Sequence, residues 1–163
     1  MPAVYPASEY VHLEELNPLH EQLASLIRAQ QDQLYVLREG RYTRSLDVER
    51  LLKASLEALG FWHGVTHREV PGLFSSQSDF EIDFYHPVLQ AALEIEKGKH
   101  FNVWRDVCKF AESSLIDHAI LLIPYEKVSS QGSSDKIFSS TLDQLYNVKK
   151  LYQGLRSFLV IGY

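Results

Sequence analysis

Two stretches near the start of the chain repeat apolar residues at helical spacing. Leu19, Leu23, Leu26, Ile27, Leu34 and Leu37 share one stripe, and Asn17-Pro18 ahead of them offers an N-cap and a first helical residue. Gly40 is a natural stop. Val48, Leu51, Leu52, Leu56 and Leu59 form the stripe of a second helix, with Ser45 as its cap, Asp47 and Glu49 near its positive end, and Gly60 as its terminus. Residues 1–16 have no clear period and read as an extended arm or short strand. Gly40 to Arg44 is a short basic loop between the helices.

The period then changes. Residues 61–70 are rich in strand formers, and Pro71-Gly72 and residues 75–78 are breaks. Residues 79–86 and 88–97 read as two strands in which apolar and acidic side chains alternate, with His86-Pro87 at the turn. Phe101, Trp104, Val107, Cys108 and Ala111 mark a helix after Gly98, which assigns Phe101, Trp104 and Cys108 to the core. Residues 118–123 are continuously apolar, as in a strand covered on both faces. A Ser-rich loop over 129–140, a helix carrying Leu142, Leu145, Tyr146 and Tyr152, and a strand over 158–161 complete the chain. Two helices, a run of strands, then helix, strand, helix and strand predict an α/β protein. We expect a central mixed β-sheet flanked by α-helices in one domain over 1–163.

Composition adds boundaries. With 163 residues, 45% hydrophobic and 23% charged, the chain can bury a proper core. The one cysteine excludes an intrachain disulfide and a Cys-based zinc site. His63 and His67 flank Gly64 and strand formers, too widely spaced on a strand for an easy chelate, so no zinc is expected. There is no basic-then-apolar leader and no apolar run of membrane-spanning length, so a cytoplasmic protein without membrane association is expected. The net charge of −5 argues mildly against nucleic acid. Charge distribution outweighs the sum, and an acidic metal cluster itself drives the sum negative.

The candidate chemistry lies in Phe80-Glu81-Ile82-Asp83-Phe84 and Leu93-Glu94-Ile95-Glu96-Lys97-Gly98-Lys99. Strand alternation puts Glu94 and Glu96 on one face and Leu93 and Ile95 on the other, with Asp83 on the neighbouring strand. Three carboxylates so placed repel one another unless a cation lies between them. This pattern points to a Mg²⁺ site and phosphodiester chemistry. The competing reading is a set of exposed acids on an edge strand, with Glu96 paired to Lys97 or Lys99.

The same residues resemble the signature of the PD-(D/E)XK nucleases, in which an Asp on one strand and a Glu-x-Lys on the next hold Mg²⁺. The nearer likeness is to restriction endonucleases of the BglII and BamHI type. Their last signature position is not lysine: it is Gln in the first and Glu in the second, as at Glu96. The resemblance extends through Asn102, Trp104, Asp106 and Lys109 to Leu115–Pro124, covering residues 79–124.

The resemblance implies a restriction endonuclease-like fold and a Mg²⁺ cofactor, with Mn²⁺ as a substitute. Asp83 and Glu94 become the metal ligands. Glu96 becomes a third catalytic group that accepts a proton from the attacking water or holds a second metal. Glu49, on the helix before the strands, becomes a supporting acid, although its place near the helix N-terminus alone explains it. Lys109 lies near the catalytic strand, although an i,i+3 pair with Asp106 is the simpler reading. Lys97 and Lys99 face away from Glu96 on a regular strand, and a bulge at Gly98 would bring one round to a phosphate. Arg41 and Arg44, with Tyr42, form a candidate grip on a phosphate backbone.

The expected function is a Mg²⁺-dependent DNA endonuclease, acting as a homodimer because a duplex cut needs two active sites. Two alternatives stand beside it. One is a nuclease-fold module that binds or assembles without cutting, which the short acidic chain favours. The other is a nuclease for RNA or branched DNA. A basic groove beside the acidic cluster would favour nuclease, and a smooth acidic surface the module. A recognition sequence is not legible, because base readout depends on loop positions.

Overall fold

The computed structural model describes residues 6–97, 100–128 and 131–163. Six strands form one mixed sheet: β1 (Ala7–Leu13), β2 (Trp62–Val65), β3 (Ile82–His86), β4 (Ala91–Ile95), β5 (His118–Ile123) and, last in the chain, β8 (Ser157–Gly162). Their spatial order is β1-β8-β5-β4-β3-β2. The centre, β4-β5-β8, is parallel, and β1, β3 and β2 join antiparallel. The three central strands are buried along their whole length, as strands covered on both faces must be.

Five helices cover the sheet. α1 (His20–Ala29), α2 (Gln31–Glu39) and α3 (Ser45–Ala58) pack Leu23, Ile27, Leu34, Val48, Leu52 and Leu56 against one face, on Phe84, Leu93, Ile95 and Ile120. α4 (His100–Glu112) and α5 (Ile137–Tyr146) cover the other, where Val103, Val107, Phe110, Phe138 and Leu142 meet Ile82, Ala92, Leu121 and Phe158. Each fully buried Leu contributes about 2 kcal/mol. A two-stranded ribbon, β6 (Lys127–Val128) with β7 (Ser134–Asp135), stands off the main sheet. No helix among the described residues is long and apolar enough to cross a membrane.

Several local expectations are corrected. The first long helix divides at Gln30, whose backbone (φ −103, ψ 9) leaves the helical region. The break lies in the polar run between Ile27 and Leu34 and lets both of them reach the same core. Asn17 does not cap that helix directly: its Oδ1 accepts, at 2.9 Å, the N–H of Leu19, the residue just before His20. Ser45 is the first helical residue of α3 rather than its cap, and the Asp47 carboxylate accepts the Arg44 N–H at 2.7 Å. The strand expected over 61–70 ends at Val65, because Glu69 accepts both the Thr66 N–H (2.8 Å) and hydroxyl (2.6 Å) and folds that segment into a turn. The loop expected over 129–140 is interrupted by β7 and by α5, which begins at Ile137; residues 129 and 130 lie outside the described part.

Cys108 is exposed, not core. The buried face of α4 runs through Val103, Asp106, Val107, Lys109 and Phe110, rotated away from the apolar stripe read in the sequence. Trp104 is half-buried and Ala111 exposed. Gly98, Lys99 and the side chain of Phe101 lie outside the described part.

Candidate active site

The β3–β4 ladder pairs Phe84 with Leu93, so Asp83 stands opposite Glu94 on the α4 side of the sheet. Glu96 follows two residues on, just past the end of β4, and its N–H still bonds Leu122 O at 2.9 Å. The Asp83 carboxylate accepts the Ile95 N–H at 2.8 Å and so takes the place of a backbone partner where the β3–β4 ladder ends. That bond fixes its direction.

The fourth wall comes from α4, the crossover between parallel β4 and β5. Asn102, Asp106 and Lys109 recur at i, i+4 and i+7, which puts them on one helical face. Lys109 Nζ donates to Glu94 Oε1 at 2.8 Å and lies 3.3 Å from Asp106 Oδ1. Asn102 Nδ2 donates to Glu96 Oε2 at 3.2 Å, and the buried Tyr163 hydroxyl donates to Glu96 O at 3.1 Å. Glu94 and Asp106 are each 2% exposed, Lys109 7% and Glu96 9%.

Electrostatics follow from this burial. Desolvation first, then Asp83 and Asp106, hold the Glu94 carboxyl well above its usual range. Asp83 is raised by burial and by Glu49 against the pull of the Ile95 N–H. Glu96 is raised by burial, while contacts with Asp106 and Asn102 act the other way. Asp106 is pushed up to about 8 by burial and by Glu96, against the pull of Lys109. Its Oδ2 is buried with no hydrogen-bond partner. Burial lowers the Lys109 ammonium, but Glu94 and Asp106 outweigh it and raise it.

One lysine among four clustered carboxyls, three of them buried, leaves the cluster short of positive charge. That deficit and the orphaned Asp106 oxygen fit a hard cation. Asp83 and Glu94 would be the residues to offer carboxylate oxygens to such an ion; Mg²⁺ in general takes one or two of these and keeps water for the rest. Among the described residues no group of three or more His, Cys, Asp and Glu is placed to hold a metal ion by itself.

The remaining candidates divide. Glu49 approaches closely enough to raise Asp83, while its Oε2 lies 3.1 Å from His63 Nε2. Lys97 turns away from the carboxylates. Its Nζ donates to Gly40 O at 2.7 Å, to Thr43 O at 2.8 Å and to the Thr43 hydroxyl. Arg41 and Arg44 are exposed and line a cleft of about 1150 Å³ whose floor includes Glu96 and Asn102. Among the described residues, five cations line this cleft (Arg41, Arg44, Lys97, Lys127, Lys136) against three acids (Glu96, Asp135, Asp143). A chain of net charge −5 thus presents a cationic cleft beside its carboxylate cluster.

Asp106, Asn102 and Tyr163 did not stand out from the sequence as site residues. The i, i+4, i+7 recurrence of polar residues on α4 was the available signal for the first two. Tyr163 is distant in sequence and gave none.

The fold and this centre define an α/β protein with a carboxylate cluster at the C-terminal end of a central strand. The chain belongs to the family described as "Putative halobacteria restriction endonuclease", which it matches over residues 1–163. No curated protein and no solved structure matches it.

Proposed function

We propose that the protein is a Mg²⁺-dependent endonuclease that hydrolyses DNA phosphodiester bonds, built on a restriction endonuclease-like fold of the PD-(D/E)XK kind. The observation that carries this reading is the junction of two opposite surfaces. Glu96 belongs both to the buried carboxylate cluster and to the cationic cleft. A phosphate held by the cleft therefore meets the acids at one end.

Asp83 and Glu94 would hold the metal. When bound, Mg²⁺ supplies neutralisation of phosphate charge and a water of lowered pKa. The chain's own groups do the rest. Glu96, at the mouth of the cluster, accepts the proton of the attacking water and releases it to the solvent of the cleft. Lys109 holds Glu94 and Asp106 in register from α4. Cleavage of both strands of a duplex calls for two copies of this site, hence a homodimer.

The test is cleavage of supercoiled plasmid in Mg²⁺ or Mn²⁺, wild type beside Glu94→Ala. We expect nicked and linear product from the wild type and a loss of at least about 100-fold in the variant. Equal activity of the two would remove Glu94 from the site. One feature favours a non-cutting module: the Lys109 ammonium already sits 2.8 Å from Glu94. A wild type that neither cuts nor binds Mn²⁺ would establish that reading instead.

A further inference from the structure

The loop between α2 and α3 is built as a tethered projection. Gly40 leaves no room for a side chain: a Cβ there would lie 2.7 Å from Thr43 Cγ2 and 2.9 Å from its Oγ1. Thr43 folds back so that its hydroxyl bonds Gly40 O at 2.8 Å. Asp47 holds the far end through the Arg44 N–H. The Lys97 ammonium gathers both carbonyls, Gly40 O and Thr43 O, from the neighbour position of Glu96. These bonds use the backbone and Thr43, and leave Arg41, Tyr42 and Arg44 outside. Tyr42 is 88% exposed, with the Arg41 guanidinium 5.8 Å from its ring centre. An exposed aromatic between two arginines, at the rim of a cationic cleft, is the combination that binds a strand by stacking and charge together.

We infer that loop 41–44 clamps one strand with accessible bases, Tyr42 stacking on a base and Arg41 and Arg44 holding flanking phosphates, and that Lys97 positions the clamp against Glu96 without touching the substrate. The inference rests on the nuclease reading and deepens it: the strand engaged is single-stranded or opened at the clamp. A stacked ring is sequence-tolerant, so the clamp supplies grip and register, not base choice. Lys97 is a positioning residue because its donors face the loop oxygens.

Fluorescence anisotropy with a labelled oligo-dT strand, and with a duplex of equal length, tests this in Ca²⁺ so that cleavage does not interfere. Tyr42→Ala should weaken oligo-dT binding about tenfold and duplex binding less, and Tyr42→Phe should bind like wild type. Arg41→Gln and Arg44→Gln should each lower the salt dependence by about 0.7. Lys97→Met should weaken binding in the wild-type background but add nothing to a Tyr42→Ala, Arg41→Gln, Arg44→Gln triple variant. Thr43→Val, which keeps every charge, should reproduce its effect in weaker form and guards against a Lys97 variant that fails to fold.

Oligo-dT affinity unchanged in Tyr42→Ala overturns the clamp. A further drop in salt dependence when Lys97→Met is added to the triple variant overturns the positioning role, because it makes Lys97 a phosphate contact. Plasmid cleavage that all loop variants retain at wild-type KM sinks the clamp and leaves the nuclease. Binding that follows the expected pattern without any cleavage sinks the nuclease reading and leaves the clamp.

Discussion

Lys109 shows how one side chain can hold a site together. It is the cation through which Glu94 and Asp106 tolerate burial. Removing one partner of a buried ion pair typically costs several kcal/mol because the other charge is left unpaired. Lys109→Met should therefore lose about 3 kcal/mol at pH 8 by urea unfolding. At pH 5 the loss should be smaller, since the carboxyls then hold protons and need no cation.

The sign follows from the direction of the shifts. Asp83, Glu94, Glu96 and Asp106 are all raised in the folded state, so the native protein binds more protons than the unfolded chain. Their contribution is fully present below ordinary carboxylate values and is lost as pH climbs, for Asp106 toward about 8. An equal loss for Lys109→Met at both pH values would mean that packing, not charge, explains the residue.

Elements decide where such residues meet. α4 was legible as a helix, yet its buried face was misread by about one position. The reading placed apolar residues inward and charged ones outward, which is right for most helices. Here Asp106 and Lys109 turn inward because the Lys109 ammonium pairs with both Asp106 and Glu94, and Cys108 is rotated out. The end of α3 shows a simpler constraint. Gly60 has φ +100, and an added Cβ would lie 2.6 Å from His86 Nε2. Gly60→Ala should cost about 2 kcal/mol through backbone strain and displacement of that ring from Leu59 O. A thermal melt within a degree of wild type would show that the turn adapts instead.

At the scale of the whole molecule, a deficit of positive charge in the cluster is coupled to stability. A divalent cation that binds only the folded protein must raise its melting temperature. We expect Mn²⁺ to raise Tm more at pH 8 than at pH 6, where protons compete for the same oxygens, and to leave Glu94→Ala unmoved. A shift that is equal in the variant would place the ion elsewhere. Sedimentation at micromolar concentration checks the proposed dimer, and a monomer at all concentrations would limit the protein to one strand per encounter.

The α/β class, the positions of the main helices and central strands and the shared face of Glu94 and Glu96 were determined by the sequence alone. Each rests on a period, 3.6 or 2, that local geometry imposes on the chain. The proximity of Asp83 was legible for the same reason, because two short strands joined by a tight turn must pair. Tertiary structure alone decided that Asp106 and Asn102 close the site and that Tyr163 supports Glu96. It also decided that Lys97 reaches back to a loop more than fifty residues earlier. These contacts join residues that share no period. They exist because folding buries charged and polar groups, and a buried charge takes whatever partner the packed elements bring within reach.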